Sequence, residues 1–284
     1  MEGSWITIDD ISRIFKPRIV TQRKGENGIV CVVGGSKFHH GAPFLTASAA
    51  LRSGVDLVYI AVPQVISLAI RALSPNFIVI PYPDAKLTVG CANRLLKWLP
   101  KVDSLALGSG MSRQKATGMC ILVRELLWKG VKVLLDGEAL VHDVVKEIIN
   151  KPSIVTLHTD EFERLFGAKL GDSIDERVEV VKKKALEYGI TILLKGVVDI
   201  ISNGDKVTLN RRRSPLLSVI GTDNVLSGLV VGLMARGYSP FDAAVIGAFV
   251  NGLVEERVVE KFGLHVAATD LIDELPNILK TFDK

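Results

Sequence analysis

From Gly28 to Leu194, short runs rich in Val, Ile and Leu alternate with longer stretches of helical composition. Several of these runs are apolar throughout rather than alternately apolar and polar, as expected of strands covered on both faces. Parallel strands joined by helical crossovers satisfy that condition. The segments 29–33, 56–62, 77–80, 104–107, 131–135, 153–157 and 191–194 are predicted as strands. Between them, 42–53, 64–73, 92–98, 114–128, 138–149 and 177–188 are predicted as helices from periodicity or composition. After Lys195 the rhythm changes. Segments 197–202 and 206–210 flank Asn203-Gly204-Asp205, a hairpin signal, so the sheet is expected to end with antiparallel strands near the C-terminal end. Segments 222–236, 240–258 and 267–280 read as helices, with Gly237 and Pro240 punctuating the first junction. The expected architecture is a three-layer α/β/α sandwich around a mostly parallel sheet.

The chain has 284 residues, of which 48% are hydrophobic, enough for one substantial core. No repeat, low-complexity tract or Pro/Ser-rich linker divides it, so residues 27–284 are expected to form a single domain. Residues 1–26 read as a polar, poorly patterned leader that lies along the surface or contacts a neighbouring subunit. The net charge of +4 is spread over 35 basic and 31 acidic residues. The densest basic runs, 182–184 and 211–213, are short and carry no interleaved aromatics, which argues against a nucleic-acid partner. Cys31, Cys91 and Cys120 are odd in number, widely spaced and free of any CxxC pair, as fits a reducing cytoplasm. Glu2, Asp9 and Asp10 stand where a signal peptide would need basic and apolar residues. The apolar stretches 225–234 and 243–254 fall short of the roughly 20 residues that cross a bilayer, so no membrane partner is expected.

In open α/β sheets, ligands collect beyond the carboxyl ends of the strands, and the residues that follow each predicted strand are therefore candidates. The first strand runs into Gly34-Gly35-Ser36-Lys37 and then Gly41-Ala42, a loop whose backbone can approach a ligand closely. Gly108-Ser109-Gly110-Met111 is a second turn with little side-chain bulk. Asp136, after the strand at 131–135, either faces the cleft or caps the following helix. His158-Thr159-Asp160-Glu161-Phe162 places an imidazole and two carboxylates at one strand-to-helix junction, with Thr159 or Asp160 as candidate N-cap and His158 facing the ligand. Lys195-Gly196 leaves a buried strand, in position to meet phosphate or a nucleotide edge. The octet 221–228, Gly-Thr-Asp-Asn-Val-Leu-Ser-Gly, opens the most apolar helix of the chain with a glycine-led turn, and the unpaired N–H groups of such a turn favour an anion.

Taken in order, these turns resemble the ribokinase-like superfamily, and within it the ADP-dependent NAD(P)H-hydrate dehydratase family, over about residues 28–257. The first glycine loop, the small-residue helix around Ala49-Ala50-Leu51-Arg52-Ser53-Gly54 and the turn Thr156-Leu157-His158-Thr159-Asp160-Glu161-Phe162 all carry the likeness. The resemblance implies repair of hydrated NADH or NADPH. A phosphoryl group passes from ADP to the hydrate hydroxyl and is then eliminated, releasing AMP and phosphate. It further implies that Ala42, Gly110, His158 and Asn224 contact the hydrated cofactor. Lys195, Gly196, Val197, Val198 and Asp199, with Gly221, Thr222 and Asp223, would contact the nucleotide, and Glu161 would help indirectly to place Mg²⁺. A homotetramer or larger assembly is expected by the same likeness.

One departure bears on catalysis. Where the family turn reads Gly-Thr-Gly-Asp, this chain has Gly221-Thr222-Asp223-Asn224. Asn224 stands at the position of the family's base and cannot accept a proton as a carboxylate does, a loss worth on the order of 10²- to 10⁴-fold in rate. Either Asp223 or another acid such as Asp136 substitutes for it, or the protein is a divergent small-molecule kinase or a nucleotide-binding pseudo-enzyme.

Overall fold

A computed structural model describes residues 3–18, 21–211 and 219–283, so Arg212 and Arg213 of the basic run lie outside the described residues. The strands are β1 (Ser4–Trp5), β2 (Ile29–Val33), β3 (Leu57–Pro63), β4 (Ile78–Tyr82), β5 (Ser104–Leu107), β6 (Lys132–Leu135), β7 (Ser153–Leu157), β8 (Thr191–Leu194), β9 (Val198–Ser202) and β10 (Val207–Arg211). They form one ten-stranded sheet in the order β1-β10-β9-β8-β7-β6-β5-β2-β3-β4. Strands β2 to β8 run parallel, and β9 alone is reversed, pairing antiparallel with both β8 and β10. The Asn203-Gly204 turn closes that hairpin as expected, with Asn203 Oδ1 accepting the N–H groups of Asp205 and Lys206 and Gly204 at φ +94°.

The helices are α1 (Ile8–Ile14), α2 (Gly41–Arg52), α3 (Gln64–Leu73), α4 (Val89–Trp98), α5 (Thr117–Trp128), α6 (His142–Glu147), α7 (Thr159–Phe166), α8 (Ile174–Tyr188), α9 (Thr222–Ala235), α10 (Pro240–Phe262) and α11 (Ala268–Leu279). Alternate residues of each central strand serve opposite cores. Val30 and Val32 face α2, α9, α10 and α11, while Cys31 and Val33 face the layer built from α4 to α8. The result is the expected three-layer α/β/α sandwich on a mostly parallel sheet.

Two expectations are corrected. The helix predicted over 138–149 is broken into a single 3-10 turn at Gly137–Ala139 and then α6, because Gly137 takes φ +54° and β-branched Val141 is extended at φ −123°, ψ 145°. Within the segment read as a leader, β1 pairs parallel with β10, and α1 packs on α10 through the fully buried Ile11. Thr7 and Asp10 form a reciprocal capping box at the start of α1, a Thr-x-x-Asp signal that the short periodicity of the segment concealed.

Strand β2 sits between β3 and β5, so the chain winds outward from it in both directions. In open sheets of this kind such a reversal, here at the carboxyl ends of β2 and β5, marks the crevice where ligands collect.

Candidate active site

The floor of the crevice is made by two glycine turns that interlock. Gly35 N–H donates to the Ser109 carbonyl at 2.8 Å, and a Cβ on Gly34 would lie 2.3 Å from the same oxygen. Gly110, at φ +68°, lets the β5 turn approach α2, and a Cβ there would come within 2.7 Å of Ala42 Cβ. Ala42 and Gly110, expected to share a ligand, therefore abut. The buried Thr46 hydroxyl lies 3.1 Å from the Ala42 carbonyl and 3.2 Å from Ser109 Oγ, tying the two turns together.

Helix α9 reaches this crevice because it is pressed against α2. A Cβ on Gly228 would sit 2.1 Å from the Thr46 carbonyl, and one on Gly232 would sit 2.1 Å from Ser53 Oγ, so only glycine permits the approach. Gly221 caps α9 in the left-handed region at φ 100°. The Thr222 hydroxyl donates to the Val219 carbonyl at 3.0 Å, and Asn224 N–H turns back to the Gly221 carbonyl at 3.1 Å. The first turn of α9, carrying Asp223, is thereby set over the ends of β6, β7 and β8.

A polar cluster forms there. Asp223 Oδ2 is 2.9 Å from His158 Nε2, at the end of β7. Lys195 Nζ, at the end of β8, lies 3.8 Å from Asp223 Oδ1 and 3.6 Å from Asp136 Oδ1, at the end of β6. Ser227 donates its hydroxyl hydrogen to Asp136 Oδ2 at 3.0 Å, and Thr156 Oγ1 lies 3.5 Å beyond Ser227 Oγ. Lys195 and Asp136 are nearly inaccessible, at 4% and 6%, whereas the side chains of Asp223 and His158 keep 32% and 44% of their surface. The buried lysine and aspartate form the base of the cluster, and the half-open His158–Asp223 pair faces the crevice. Desolvating an ammonium and a carboxylate is costly unless they are paired, and here each is paired. Asp136 is turned into this cluster, and the 3-10 turn that follows it receives no side-chain cap.

The junction after β7 is capped by His158 rather than by Thr159 or Asp160. Glu161, at the third helical position, accepts the His158 N–H at 2.8 Å, and Thr159 is already the first residue of α7. Buried Phe162, its ring tilted against that of Phe166, roots this turn in the core. In the stretch Lys195, Gly196, Val197, Val198 and Asp199, Lys195 joins the cluster. Val197 is 69% exposed, and Asp199 is fully buried, one oxygen accepting from Gly196 N–H and the other from Asn210 Nδ2, each at 3.1 Å. Asp199 thus locks the β8–β9 turn to β10. Ser227 escaped sequence reasoning, although it lies four residues after Asp223 on the same face of α9, the spacing that makes helical neighbours. Among the described residues, no group of three or more His, Cys, Asp or Glu is placed to hold a metal ion.

The chain is similar to known proteins along nearly its whole length. The chain matches the family described as NAD(P)H-hydrate dehydratase over residues 30–277. It is 46% identical, over 100% of its length and 99% of the relative's, to an ADP-dependent (S)-NAD(P)H-hydrate dehydratase of Nitrosopumilus maritimus. It is 37% identical over 96% of its length to a bifunctional NAD(P)H-hydrate repair enzyme of Pyrobaculum aerophilum, of which it spans 54%. The fold is that of the ADP/ATP-dependent NAD(P)H-hydrate dehydratase from Bacillus subtilis co-crystallized with ATP/Mg²⁺, with a TM-score of 0.85, 24% identity, and 99% of each chain covered. A match over nearly the whole chain, together with full-length relatives at this identity, means that the chain belongs to the NAD(P)H-hydrate dehydratase family.

Proposed function

We propose that the protein is an ADP-dependent NAD(P)H-hydrate dehydratase in which Asp223 serves as the base. The observation that carries the reading is the placement of Asp223 between His158 and Lys195 at the first turn of α9, in a chain of this family. The hydrated nicotinamide ring lies against Ala42, Gly110, His158 and Asn224. The nucleotide follows Lys195, Gly196, Val197, Val198 and the exposed edge of the β8–β9 turn, with its phosphates toward Gly221, Thr222 and Asp223. Asp199 acts in that stretch by holding the turn.

Phosphoryl transfer asks chiefly for positioning and charge neutralisation. Asp223 accepts the hydroxyl proton as the substrate oxygen bonds to the terminal phosphorus of ADP, and the bond from that phosphorus to AMP breaks. The C–O bond to the new phosphate then breaks as the neighbouring ring carbon gives a proton to water, restoring the nicotinamide double bond and releasing phosphate. His158, hydrogen-bonded to Asp223, orients the carboxylate, and Lys195 balances negative charge below it. Asn224 donates or accepts a hydrogen bond to the substrate and takes no proton.

The donor set suits Mg²⁺ held mainly by phosphate and water, the usual arrangement for that ion. Asp136 is engaged by Ser227 and Lys195, and one oxygen of Glu161 is spent on the His158 N–H, leaving Glu161 to act through water. Bound Mg²⁺ supplies neutralisation of charge on the transferred phosphoryl group.

Incubation with hydrated NADH, Mg²⁺ and either ADP or ATP, with NADH absorbance and nucleotide products followed together, tests the proposal. Recovery of NADH with stoichiometric AMP and phosphate from ADP is the expected result. Nucleotide binding without recovery identifies a pseudo-enzyme, and nucleotide consumption only with another hydroxyl-bearing substrate identifies a kinase. A cytoplasmic location and a homotetramer or larger assembly belong to the same reading. Among the described residues no helix is long and apolar enough to cross a membrane. Val65 and Leu68 are exposed one turn apart on α3, beside the edge strand β4, which supports self-association. Light scattering gives the mass of the assembly.

A further inference from the structure

We propose that Asp136 is a positioning residue that sets the proton affinity of Asp223 through their shared lysine; the proposal rests on the dehydratase reading above. Lys195 lies slightly nearer to Asp136 (3.6 Å) than to Asp223 (3.8 Å), and neither distance is that of a closed, hydrogen-bonded ion pair. The ammonium is divided between the two carboxylates. Asp136 is held from several directions. Its N–H donates to the Leu107 carbonyl at 3.1 Å, its Oδ2 accepts from Ser227 at 3.0 Å, and Gly108 admits its carbonyl so closely that a Cβ there would lie 1.8 Å away. Asp223, by contrast, sits at the half-open rim of the same cluster.

This asymmetry has a chemical consequence. A lysine committed wholly to Asp223 would stabilise its carboxylate and make it a poor proton acceptor. By drawing part of the ammonium's charge toward the base of the cluster, Asp136 keeps Asp223 able to take the substrate proton. When Asp223 is protonated, Lys195 remains paired with Asp136 and is not left as an uncompensated buried charge. Among the described residues, the charged and titratable groups of the cluster include Asp136 after β6, His158 after β7, Lys195 after β8 and Asp223 on α9. Ser227 anchors Asp136 from the same helix that carries Asp223, so the two carboxylates are kept in register by one turn of α9.

Asp136→Asn keeps the size of the side chain and removes its charge. The expected result is a kcat at least about 10-fold lower with KM for ADP and for hydrated NADH changed by less than about 2-fold. The acidic limb of the kcat profile should move to lower pH as Lys195 is released to Asp223. Ser227→Ala, which spares the carboxylate, should act in the same direction and more weakly. It supplies the test if the Asn variant does not fold. A lowered melting temperature with kcat and the acidic limb unchanged in both variants would overturn the proposal. Absence of NADH recovery by the parent with either nucleotide defeats the dehydratase reading instead, and the Lys195 pairing is then read directly. In protein labelled with ¹³C-lysine and assigned with Lys195→Arg, the Lys195 ammonium should titrate about one unit lower in Asp136→Asn. An unchanged titration overturns the positioning claim.

Discussion

Replacing Gly228 by Ala tests whether the α2–α9 contact is what brings Asp223 to the strand ends. The added methyl would lie 2.1 Å from the Thr46 carbonyl oxygen and 2.8 Å from Ala49 Cβ, and the oxygen belongs to a helix backbone that cannot rotate away. Carbon and oxygen come no closer than about 3.3 Å in favourable contacts, so the two helices must separate by about 1 Å. Overpacking of this kind costs about 1–3 kcal/mol, and a backbone obstacle places it at the upper end. Alanine returns about 1 kcal/mol of helix propensity, leaving about 2 kcal/mol of net destabilisation. For a chain of this size that corresponds to a fall in Tm of roughly 4 °C. Gly90 of α4 is the control: its nearest neighbour would be Thr88 Oγ1 at 3.9 Å, so Gly90→Ala should hold or raise Tm. Circular dichroism melts at a fixed scan rate give the comparison. Because α2 carries Ala42 and α9 carries Asp223, the Gly228 variant should also lose turnover before it loses secondary structure. A Gly228→Ala protein that melts with the parent and turns over normally would refute the reasoning.

Lys132 donates to the carbonyls of Met234 (3.0 Å) and Tyr238 (2.7 Å) just at and beyond the end of α9, and burial holds its pKa below the usual lysine value. Lys132→Met should lower stability by about 1–3 kcal/mol in denaturant titrations, since buried carbonyls lose their donor. Burial pushes the Cys31 thiol up to about 12, and burial, with Glu147 and Asp143 nearby, also raises Cys120. A thiol reagent near neutral pH should therefore leave Cys31 unmodified until the protein unfolds, as mass spectrometry of labelled peptides will report. Burial raises the pKa of Asp56, but the N–H groups of Asn27 and Gly25, the Asn27 side chain and Arg18 outweigh it and hold the carboxyl below its ordinary value. A depressed pKa stabilises the fold above the unfolded value of about 3.9, and that contribution is lost as pH falls through the folded value. Asp56→Asn should accordingly melt below the parent at neutral pH, with the gap closing as the solution is acidified through that range.

The central strands were legible because their apolar runs admit few other arrangements, and the Asn203-Gly204 hairpin because its turn chemistry is local. The segment around Ile11 was not legible: β1 is two residues long and α1 buries a single apolar side chain, too little to register as a pattern. Nor could composition reveal that Gly137 and Val141 interrupt an apparently helical stretch. At the site, His158, Lys195 and Asp223 were visible from their places at strand ends and at a helix start. Their mutual distances were not, because these depend on how deeply α9 sinks against α2, which is decided by the missing side chains of Gly228 and Gly232. Ser227 became a functional candidate only through that approach, which also brings its hydroxyl to Asp136. Asp199 stands within a stretch that resembles a nucleotide contact, and its oxygens accept from Gly196 N–H and Asn210 Nδ2, a pairing that the sequence did not show.

The central claim is that the proton acceptor has moved one residue along the turn, from position 224 to Asp223. Single-turnover recovery of NADH absorbance from hydrated NADH with ADP and Mg²⁺, compared between the parent and Asp223→Asn, tests it most directly. The account predicts recovery by the parent and a rate lower by on the order of 10²- to 10⁴-fold in the variant, with ADP still bound. An Asp223→Asn protein that restores NADH as fast as the parent would contradict it.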